Sequence, residues 1–279
     1  MKYFLQSSFL CAEFSSLGAE LLSLKSSNNT ELIWQGEDDA WPGHAPILFP
    51  ICGFLKNNSY IYNNRHFPMS VHGFASKSEF SCLSQSDNSL TFELHETEQS
   101  LKSYPFQFTL QIVYTLTASQ LSVKFTVTNR SDVTLPFSLG WHPGFNTSPN
   151  TQLILPKPHK YQQRQVFSNG LIGDPKAVEL QMLLLNEQTF KDGGIVLEGN
   201  TNSLELIAPN YSLVMELTDF PVLVLWGQLG KNFICIEPWL GMGDLQKGNA
   251  KIIDKENIVL LEPNKSDIKH VDLHVITRD

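Results

Sequence analysis

The sequence predicts an all-β fold, arranged as one large β-sandwich. Apolar residues recur at every second position through most of the 279-residue chain, and helical periodicity over about eleven residues or more is nearly absent. The connecting segments are short and rich in Asn, Ser, Gly and Pro, as turns require. Strands run from end to end without a linker or a fixed repeat, and β-sandwiches are often larger than other domains. We therefore expect a single domain over residues 1–279.

A hairpin in the first half of the chain is the clearest element. Alternating apolar residues in Phe106–Leu116 and Leu121–Val127, on either side of a polar turn, predict two strands with one buried face each. The continuous apolar run Val222–Trp226 is typical of a strand that is buried on both faces. Val178–Leu185 has a weak helical pattern and is the one predicted helix. The other predicted strands are Leu90–Leu94, Leu204–Ile207, Leu213–Leu217, Phe233–Trp239, Ile258–Leu261 and Val271–Ile276.

The charge balance excludes several classes of partner. The chain has 20 basic and 28 acidic residues, a net charge of −8, and no cluster of Lys and Arg. Nucleic acid and anionic membrane surfaces both need a basic footprint, so neither is an expected partner. No segment approaches the roughly 18 apolar residues of a membrane helix. These observations favour a neutral small molecule as the ligand.

Cysteine usage indicates the compartment. The four cysteines form no C-x-x-C pair, and three of them are predicted to be buried thiols because they lie among apolar residues. The N-terminus is a poor secretory signal. We expect a cytoplasmic protein. The cysteines are Cys11, Cys52, Cys82 and Cys235.

Three ionisable residues lie at positions where a chain made only of core strands and turns would not require an ionisable side chain. Glu237 continues the parity of Phe233 and Cys235 on an apolar strand, so burial would raise its pKa toward the range of a general base. His142 lies between a tryptophan and a Pro-Gly break, and His72 directly precedes a glycine. Imidazole suits proton transfer near neutral pH. The alternatives stay open: Glu237 as a surface or ion-paired carboxylate, and each histidine as a turn residue bonded to backbone.

The sequence offers little for a metal or a cofactor. The eight histidines form no H-x-H or H-x-x-x-H pair with a carboxylate at ligand spacing. Nucleotide-binding and serine-hydrolase motifs are also missing. We predict no metal and no cofactor. Aromatic residues near the candidate site suit a carbohydrate, since their faces stack on the C–H faces of sugar rings, although core filling explains Trp226 equally well. These aromatic residues are Trp141, Phe145, Trp226 and Trp239.

Three segments of the chain resemble a known family. They are PILFPICGFLKNNSYIYNNRHFPMSVHGFASKSEF, GWHPGFN and FICIEPWLGMGD, and each contains one of the three ionisable residues above. In sequence, order and separation they resemble the signatures of the aldose 1-epimerases, or galactose mutarotase-like proteins, and the bacterial LacX-type branch in particular. The resemblance runs over essentially the whole chain. It implies a β-supersandwich and a cofactor-independent interconversion of the α and β anomers of a sugar.

The resemblance also implies roles for individual residues. Glu237 would take the proton of the C1 hydroxyl, and His142 would protonate the ring oxygen so that the ring opens. His72 would contact the region of the ring oxygen. Asp192, in FKDGG, falls where the family often has a sugar-binding aspartate, although a turn aspartate is an equally simple account. We predict Glu237 and His142 as catalytic residues and His72, Asp192 and Trp226 as substrate-binding residues.

The chain departs from the family pattern at two positions. Phe54 and Ser76 stand where related proteins usually carry arginines, which would supply charge-assisted hydrogen bonds to sugar oxygens. Lys56, Arg65 or Lys77 are candidates to replace them in space. The loss disfavours a phosphorylated sugar and leaves a second hypothesis beside the enzyme, namely a non-catalytic sugar-binding or regulatory protein. A monomer and a homodimer are both compatible with the sequence.

Overall fold

The computed structural model describes residues 1–37, 39–186, 188–199 and 201–277, and at 156–159 and 277 it describes the backbone alone. The prediction of an all-β sandwich is confirmed, since the described chain consists mainly of antiparallel strands. The strands are β1 Lys2–Gln6, β2 Leu10–Ser15, β3 Leu21–Ser26, β4 Ile47–Leu48, β5 Ser59–Tyr62, β6 Arg65–Pro68, β7 Ser81–Gln85, β8 Ser89–His95, β9 Phe108–Thr117, β10 Gln120–Asn129, β11 Leu135–Phe137, β12 Leu139–Trp141, β13 Gly144–Asn146, β14 Gln152–Gln165, β15 Lys176–Leu184, β16 Ile195–Glu198, β17 Ser203–Ile207, β18 Tyr211–Glu216, β19 Val222–Trp226, β20 Phe233–Leu240, β21 Val259–Leu261 and β22 Ser266–Thr277. The helices are α1 Glu98–Ser103 and three 3₁₀ turns at Lys56–Asn58, Ala75–Lys77 and Ile252–Asp254.

Most strands join one 15-stranded sheet. Its main path runs β4-β12-β20-β19-β16-β14-β17-β18-β22-β10-β9-β8-β7, with β13 paired to β20 and β15 paired to β14. The strands β1 to β3 form a second sheet, and the pairs β5-β6 and β11-β21 form two ribbons. The predicted hairpin is β9-β10, in which Tyr114 pairs with Val123. Its alternate residues are buried in a single large apolar core that also takes in residues of β1 to β3.

The predicted helix at Val178–Leu185 is wrong. All of these residues but Leu185 belong to β15, which pairs antiparallel with β14. Val178 and Leu180 pack against the core at strand spacing while their neighbours face outward. Pairing with a neighbouring strand therefore overrides a weak local pattern. The one α-helix in the described residues, Glu98–Ser103, was not predicted because its six residues are too few to show a periodic pattern. Its start is fixed by a capping box between Thr97 and Ser100.

Cysteine burial differs from the prediction. Cys52 and Cys235 are buried, Cys82 is partly exposed and Cys11 is exposed, so two thiols are buried rather than three. Cys11 lies on the outward face of β2, where alternate residues point away from the core. No helix in the described ranges is long and apolar enough to cross a bilayer.

Strand β20 is the element that places the candidate site. All eight of its residues are buried, because β19 pairs along one edge and the short strands β12 and β13 pair along the other. Leu139 pairs with Leu240 before the break between β12 and β13, and Gly144 pairs with Cys235 after it. The register is the same on both sides of the break. Residue 142, within the break, therefore lies opposite residue 237.

Candidate active site

The register of β20 brings the predicted proton-transfer pair together. His142 Nε2 lies 3.2 Å from Glu237 Oε2. Only 7% of the surface of His142 and 1% of that of Glu237 is exposed. The break between β12 and β13 frees the His142 side chain from a regular ladder, and the Pro143 carbonyl accepts a hydrogen bond from the Ile236 N–H across the break. The expectation that Glu237 is buried is confirmed.

Glu237 is a carboxyl group held in an apolar setting. Burial raises the pKa of its side chain well above the ordinary value, and a hydrogen bond from Trp239 Nε1 to Oε2, at 3.1 Å, opposes this shift in part. Oε2 thus meets both Trp239 and His142. Oε1 is the carboxyl oxygen that remains for a ligand. A carboxyl with a raised pKa and a fixed orientation has the properties of a general acid or base near neutral pH.

Burial acts on His142 in the opposite direction. It lowers the pKa of the imidazole well below the ordinary value, and the neighbouring His72 adds to the effect. The raised pKa of Glu237 and the lowered pKa of His142 both favour the neutral forms. These directions favour a neutral carboxyl beside a neutral imidazole, with one transferable proton between the two groups.

His72 completes the inner part of the site. Its Nδ1 accepts a hydrogen bond from the Gly53 N–H at 3.1 Å, and its ring meets that of His142 edge to face at 5.4 Å. Burial lowers the pKa of His72 to about 4, and the charge of Lys77 acts in the same direction. The residue has a left-handed backbone with φ of 61°. The next residue must be glycine, since a Cβ on Gly73 would lie 2.2 Å from the Phe49 carbonyl oxygen.

These side chains line one cavity of about 850 Å³. Its inner end is formed by the buried acid–base groups, and its outer end by polar and charged residues. The volume lies within the usual range for small-molecule sites. The lining residues are Trp41, Gly53, Phe54, Val71, His72, His142, Gln165, Val166, Phe167, Ser168, Gly170, Ile172, Lys191, Asp192, Gly193, Gly194, Val224, Trp226, Glu237 and Trp239.

All five residues singled out from the sequence line this cavity. Asp192 is exposed on the segment between β15 and β16. Trp226 faces the cavity and also packs against the small apolar cluster of Trp34, Phe233 and Cys235. It is therefore both a lining residue and part of the apolar packing. Sequence reasoning had found no signal in Trp41, whose indole lies 4.8 Å from the His142 ring. It also missed Lys191 at the outer end.

The proposed replacements for the missing arginines lie elsewhere. Within the described chain, Lys56, Arg65 and Lys77 do not line the cavity. Lys56 donates to the Gly248 carbonyl, and Arg65 lies over the ring of Phe67. Ser76 is also outside the lining set, whereas Phe54 forms part of the wall. Lys191 is the cation that the described cavity lining contains.

A buried ion pair fixes the segment that carries Phe54. Asp244, just after β20, pairs with Lys255 and accepts a hydrogen bond from the Lys56 N–H at 2.9 Å. The Asp244 N–H donates to the Phe54 carbonyl at 2.7 Å. The Phe54 ring packs on Gly170, where a Cβ would lie 2.2 Å from the ring. Position 54 is therefore held against the cavity by contacts on two sides.

One group of described residues has the donor types of a metal site. Ligand atoms of His142, Cys235 and Glu237 lie within 4.8 Å of one another. Burial raises the pKa of both the Cys235 thiol and the Glu237 carboxyl, so both groups hold their protons. A metal ion would have to displace these two protons to bind. The donor set therefore fits proton transfer better than it fits a bound cation.

Comparison with known proteins gives a consistent result. The family model described as aldose 1-epimerase matches residues 1–250 of the chain. The chain is 31% identical to the plasmid-encoded protein LacX of Lactococcus lactis subsp. lactis, over 98% of this chain and 98% of LacX. The resemblance to the LacX-type branch is thereby confirmed.

Solved structures agree with the sequence comparison. A galactose mutarotase related enzyme from Lactobacillus acidophilus superimposes with a TM-score of 0.94 at 29% identity, over 99% of this chain and 98% of that one. A galactose mutarotase-like protein from Lactobacillus casei ATCC 334 superimposes with a TM-score of 0.91 at 30% identity, over 99% of this chain and all (100%) of that one. Both proteins therefore share the fold of this chain.

Proposed function

The chain belongs to the aldose 1-epimerase family, and from that premise we propose that it interconverts the α and β anomers of a neutral free aldose. The observation that carries the proposal is the buried pair of Glu237 and His142, whose facing atoms are 3.2 Å apart at the inner end of a large cavity. A carboxyl and an imidazole at this separation can exchange one proton and can reach adjacent oxygens of one sugar.

In the proposed reaction the two groups act on opposite ends of the bond that breaks. Glu237 takes the proton of the C1 hydroxyl through Oε1, since Oε2 already contacts Trp239 and His142. The electron pair of that O–H bond forms the C1 carbonyl, the bond from C1 to the ring oxygen breaks, and His142 delivers a proton to the ring oxygen. Rotation about C1–C2 and reclosure with the roles exchanged produce the other anomer.

The two protonation states of the pair have different parts in the proposed reaction. The pKa directions favour the state with the shared proton on Glu237, whereas the reaction starts from the state with that proton on His142. Both forms contain one proton, so passing from one to the other needs no exchange with solvent. The hydroxyls of a bound sugar favour the ionised form because they donate hydrogen bonds to the carboxylate.

The remaining lining residues support sugar binding. Trp41, Trp226 and Trp239 offer aromatic surface for the C–H faces of a sugar, and His72 lies beside His142, where it would contact the ring oxygen. Asp192 would accept hydrogen bonds from hydroxyls at the outer end. No cofactor enters this scheme. We further propose that residues 1–279 act as one cytoplasmic domain, as a monomer or homodimer.

Polarimetry on freshly dissolved α-D-glucose and α-D-galactose tests the proposal. Wild-type protein should accelerate the approach to the equilibrium rotation, and Glu237→Gln should lose this acceleration by about 10²–10⁴-fold, since it removes the base at nearly constant volume. Thermal unfolding of the variant should remain cooperative. A variant as active as wild type would contradict the role of Glu237.

One observation favours the alternative of a non-catalytic sugar-binding protein. Phe54 places an apolar ring in the cavity wall where related proteins usually carry an arginine, so one charge-assisted donor to the sugar is missing. Calorimetric titration with the same sugars separates the two functions. Binding without any acceleration of mutarotation would support the alternative, and turnover at catalytic protein concentrations would exclude it.

A further inference from the structure

His142 lacks the hydrogen bond that ordinarily orients a catalytic histidine. Its Nε2 faces Glu237, while its Nδ1 is buried without a hydrogen bond to another described residue. In most sites the second ring nitrogen donates to a carbonyl or carboxylate, and this bond fixes both the tautomer and the ring orientation. The orientation of His142 therefore depends on the contact of Nε2 with Glu237 and on the rings that pack around the imidazole.

Three rings surround the His142 imidazole, and they do so differently. The rings of His72 and Trp226 meet it near the perpendicular, at 5.4 Å and 88° and at 6.0 Å and 70°. Trp41 lies closest, with ring centroids 4.8 Å apart and planes inclined by 31°. The tilted Trp41 indole therefore lies nearer to the imidazole than either of the other two rings does. Trp41 thus opposes rotation of the ring more directly than its two neighbours do.

Trp41 is itself held in a slot. A Cβ on Gly43 would lie 2.6 Å from the indole at Cζ2, and one on Gly144 would lie 2.7 Å from it at Cζ3. The two glycines therefore let the backbone approach the indole on two sides. The Trp41 carbonyl also accepts a hydrogen bond from Trp34 Nε1 at 2.8 Å. A residue secured by these contacts can hold a neighbour in place.

Resting on the proposed function, we infer that Trp41 is a positioning residue: its indole face holds the His142 imidazole in the orientation that directs Nε2 toward Glu237 and the ring oxygen of the sugar. Trp41 also lines the cavity. A pure wall residue would govern how tightly the sugar binds, whereas a positioning residue governs how often the bound sugar reacts. The two roles predict different kinetics.

Trp41→Leu separates these roles. We expect kcat to fall about 10–100-fold with KM changed less than about threefold, since a small displacement of a catalytic group has an effect of this size. Trp41→Phe keeps an aromatic face over the imidazole and should recover most of the loss. A rise in KM at unchanged kcat would overturn the inference and leave Trp41 as a binding surface.

A pair of glycine variants tests the same point without removing Trp41. Gly43→Ala displaces the indole, whose atoms are the three nearest to the added Cβ, and should lower kcat as Trp41→Leu does. Gly173→Ala is the matched control. Its Cβ would lie 2.9 Å from the ring of Phe167, which lines the cavity but is not one of the rings around His142 described above. We expect the control to act on KM. Equal losses of kcat in both variants would contradict a specific role for Trp41.

A spectroscopic measurement keeps the inference independent of turnover. In protein with ¹⁵N-labelled histidine, the ring signals of His142 should show one ordered state in wild type and broadening or exchange in Trp41→Leu and Gly43→Ala. Identical His142 signals in wild type and Trp41→Leu would overturn the inference even if kcat fell. If wild type turned over no sugar, the proposed function would fail, and the ring signals would still decide whether Trp41 orders His142.

Discussion

The two ends of the cavity have opposite physical characters. At the inner end, Glu237 and His142 are buried, and the protein shifts their pKa values in opposite directions. At the outer end, Lys191 and Asp192 are exposed side chains on the segment between β15 and β16. Burial shifts the pKa of a group and so changes its acid–base reactivity. Exposed groups can form hydrogen bonds with a ligand without the free-energy cost of burying them in the folded protein. Under the proposed function, the inner end carries out the chemistry and the outer end selects the sugar.

The largest expected effect comes from the inner end. His142→Asn keeps a polar side chain but removes the titratable nitrogen, so kcat should fall about 10²–10⁴-fold while KM changes little. Steady-state polarimetry measures both constants. His66→Asn, at an exposed position on β6, is the matched control and should behave as wild type. If His142→Asn raised KM and left kcat unchanged, the inner end would be a binding region, and the proposed division of roles between the two ends would be wrong.

A smaller effect is expected at the outer end. Asp192→Asn preserves shape but removes the charge, so charge-assisted hydrogen bonds from sugar hydroxyls weaken. We expect KM to rise about three- to tenfold with kcat unchanged, which corresponds to a loss of about 0.7–1.4 kcal/mol, within the net contribution of one hydrogen bond. Asp87→Asn, on an exposed turn, serves as control. A loss of kcat as large as that of His142→Asn would show that Asp192 takes part in the chemistry.

Phe54 forms part of the cavity wall, and variants at this position test whether the wall contacts the sugar. Its ring centroid is 6.5 Å from that of His72. Phe54→Arg supplies a guanidinium to the wall, which should lower KM about three- to tenfold through a charge-assisted bond to the sugar. Phe54→Leu removes the ring without adding a donor and should not lower KM. Unchanged affinity in Phe54→Arg would mean that position 54 does not reach the sugar.

The smallest effect concerns stability rather than rate. The folded-state pKa of His72 is about 4, below its ordinary value of 6.5, so unfolded chains take up the proton first as pH falls. The stability contributed by neutral His72 is complete above pH 6.5 and is lost progressively toward pH 4. His72→Asn lacks this contribution and tolerates the left-handed backbone.

Calorimetric scans across that pH range provide the measurement. The Tm of wild type should drop on acidification by about 2–5 °C more than that of His72→Asn. His142 shifts in the same direction and remains in both proteins, so the difference between the two reports the contribution of His72 together with its effect on the pKa of His142. Parallel decreases in Tm would show that His72 is not held neutral by the fold.

Local pattern was sufficient for most strands and insufficient where pairing decided the outcome. The hairpin β9-β10 and strand β19 agree with the sequence prediction because each has a strong apolar pattern. The helix predicted for residues 178–185 is wrong, because pairing of β15 with β14 overrides the weak helical pattern. For the site, strand parity favoured a buried Glu237 but left a surface position open, and a Pro-Gly break indicated His142.

The fold class, the family and five of the residues that line the cavity could be predicted from the sequence, because alternation of apolar residues and short motifs are local properties of the chain. Which side chains of the site come into contact follows from the tertiary structure and not from the local sequence. The register of β20 across the break sets His142 opposite Glu237, and a loop far away in sequence brings Trp41 onto the imidazole. Lysines proposed as replacements for arginine lie outside the cavity, whereas Lys191 lines it. Contacts of this kind depend on strand order and on loop paths, which local sequence does not encode.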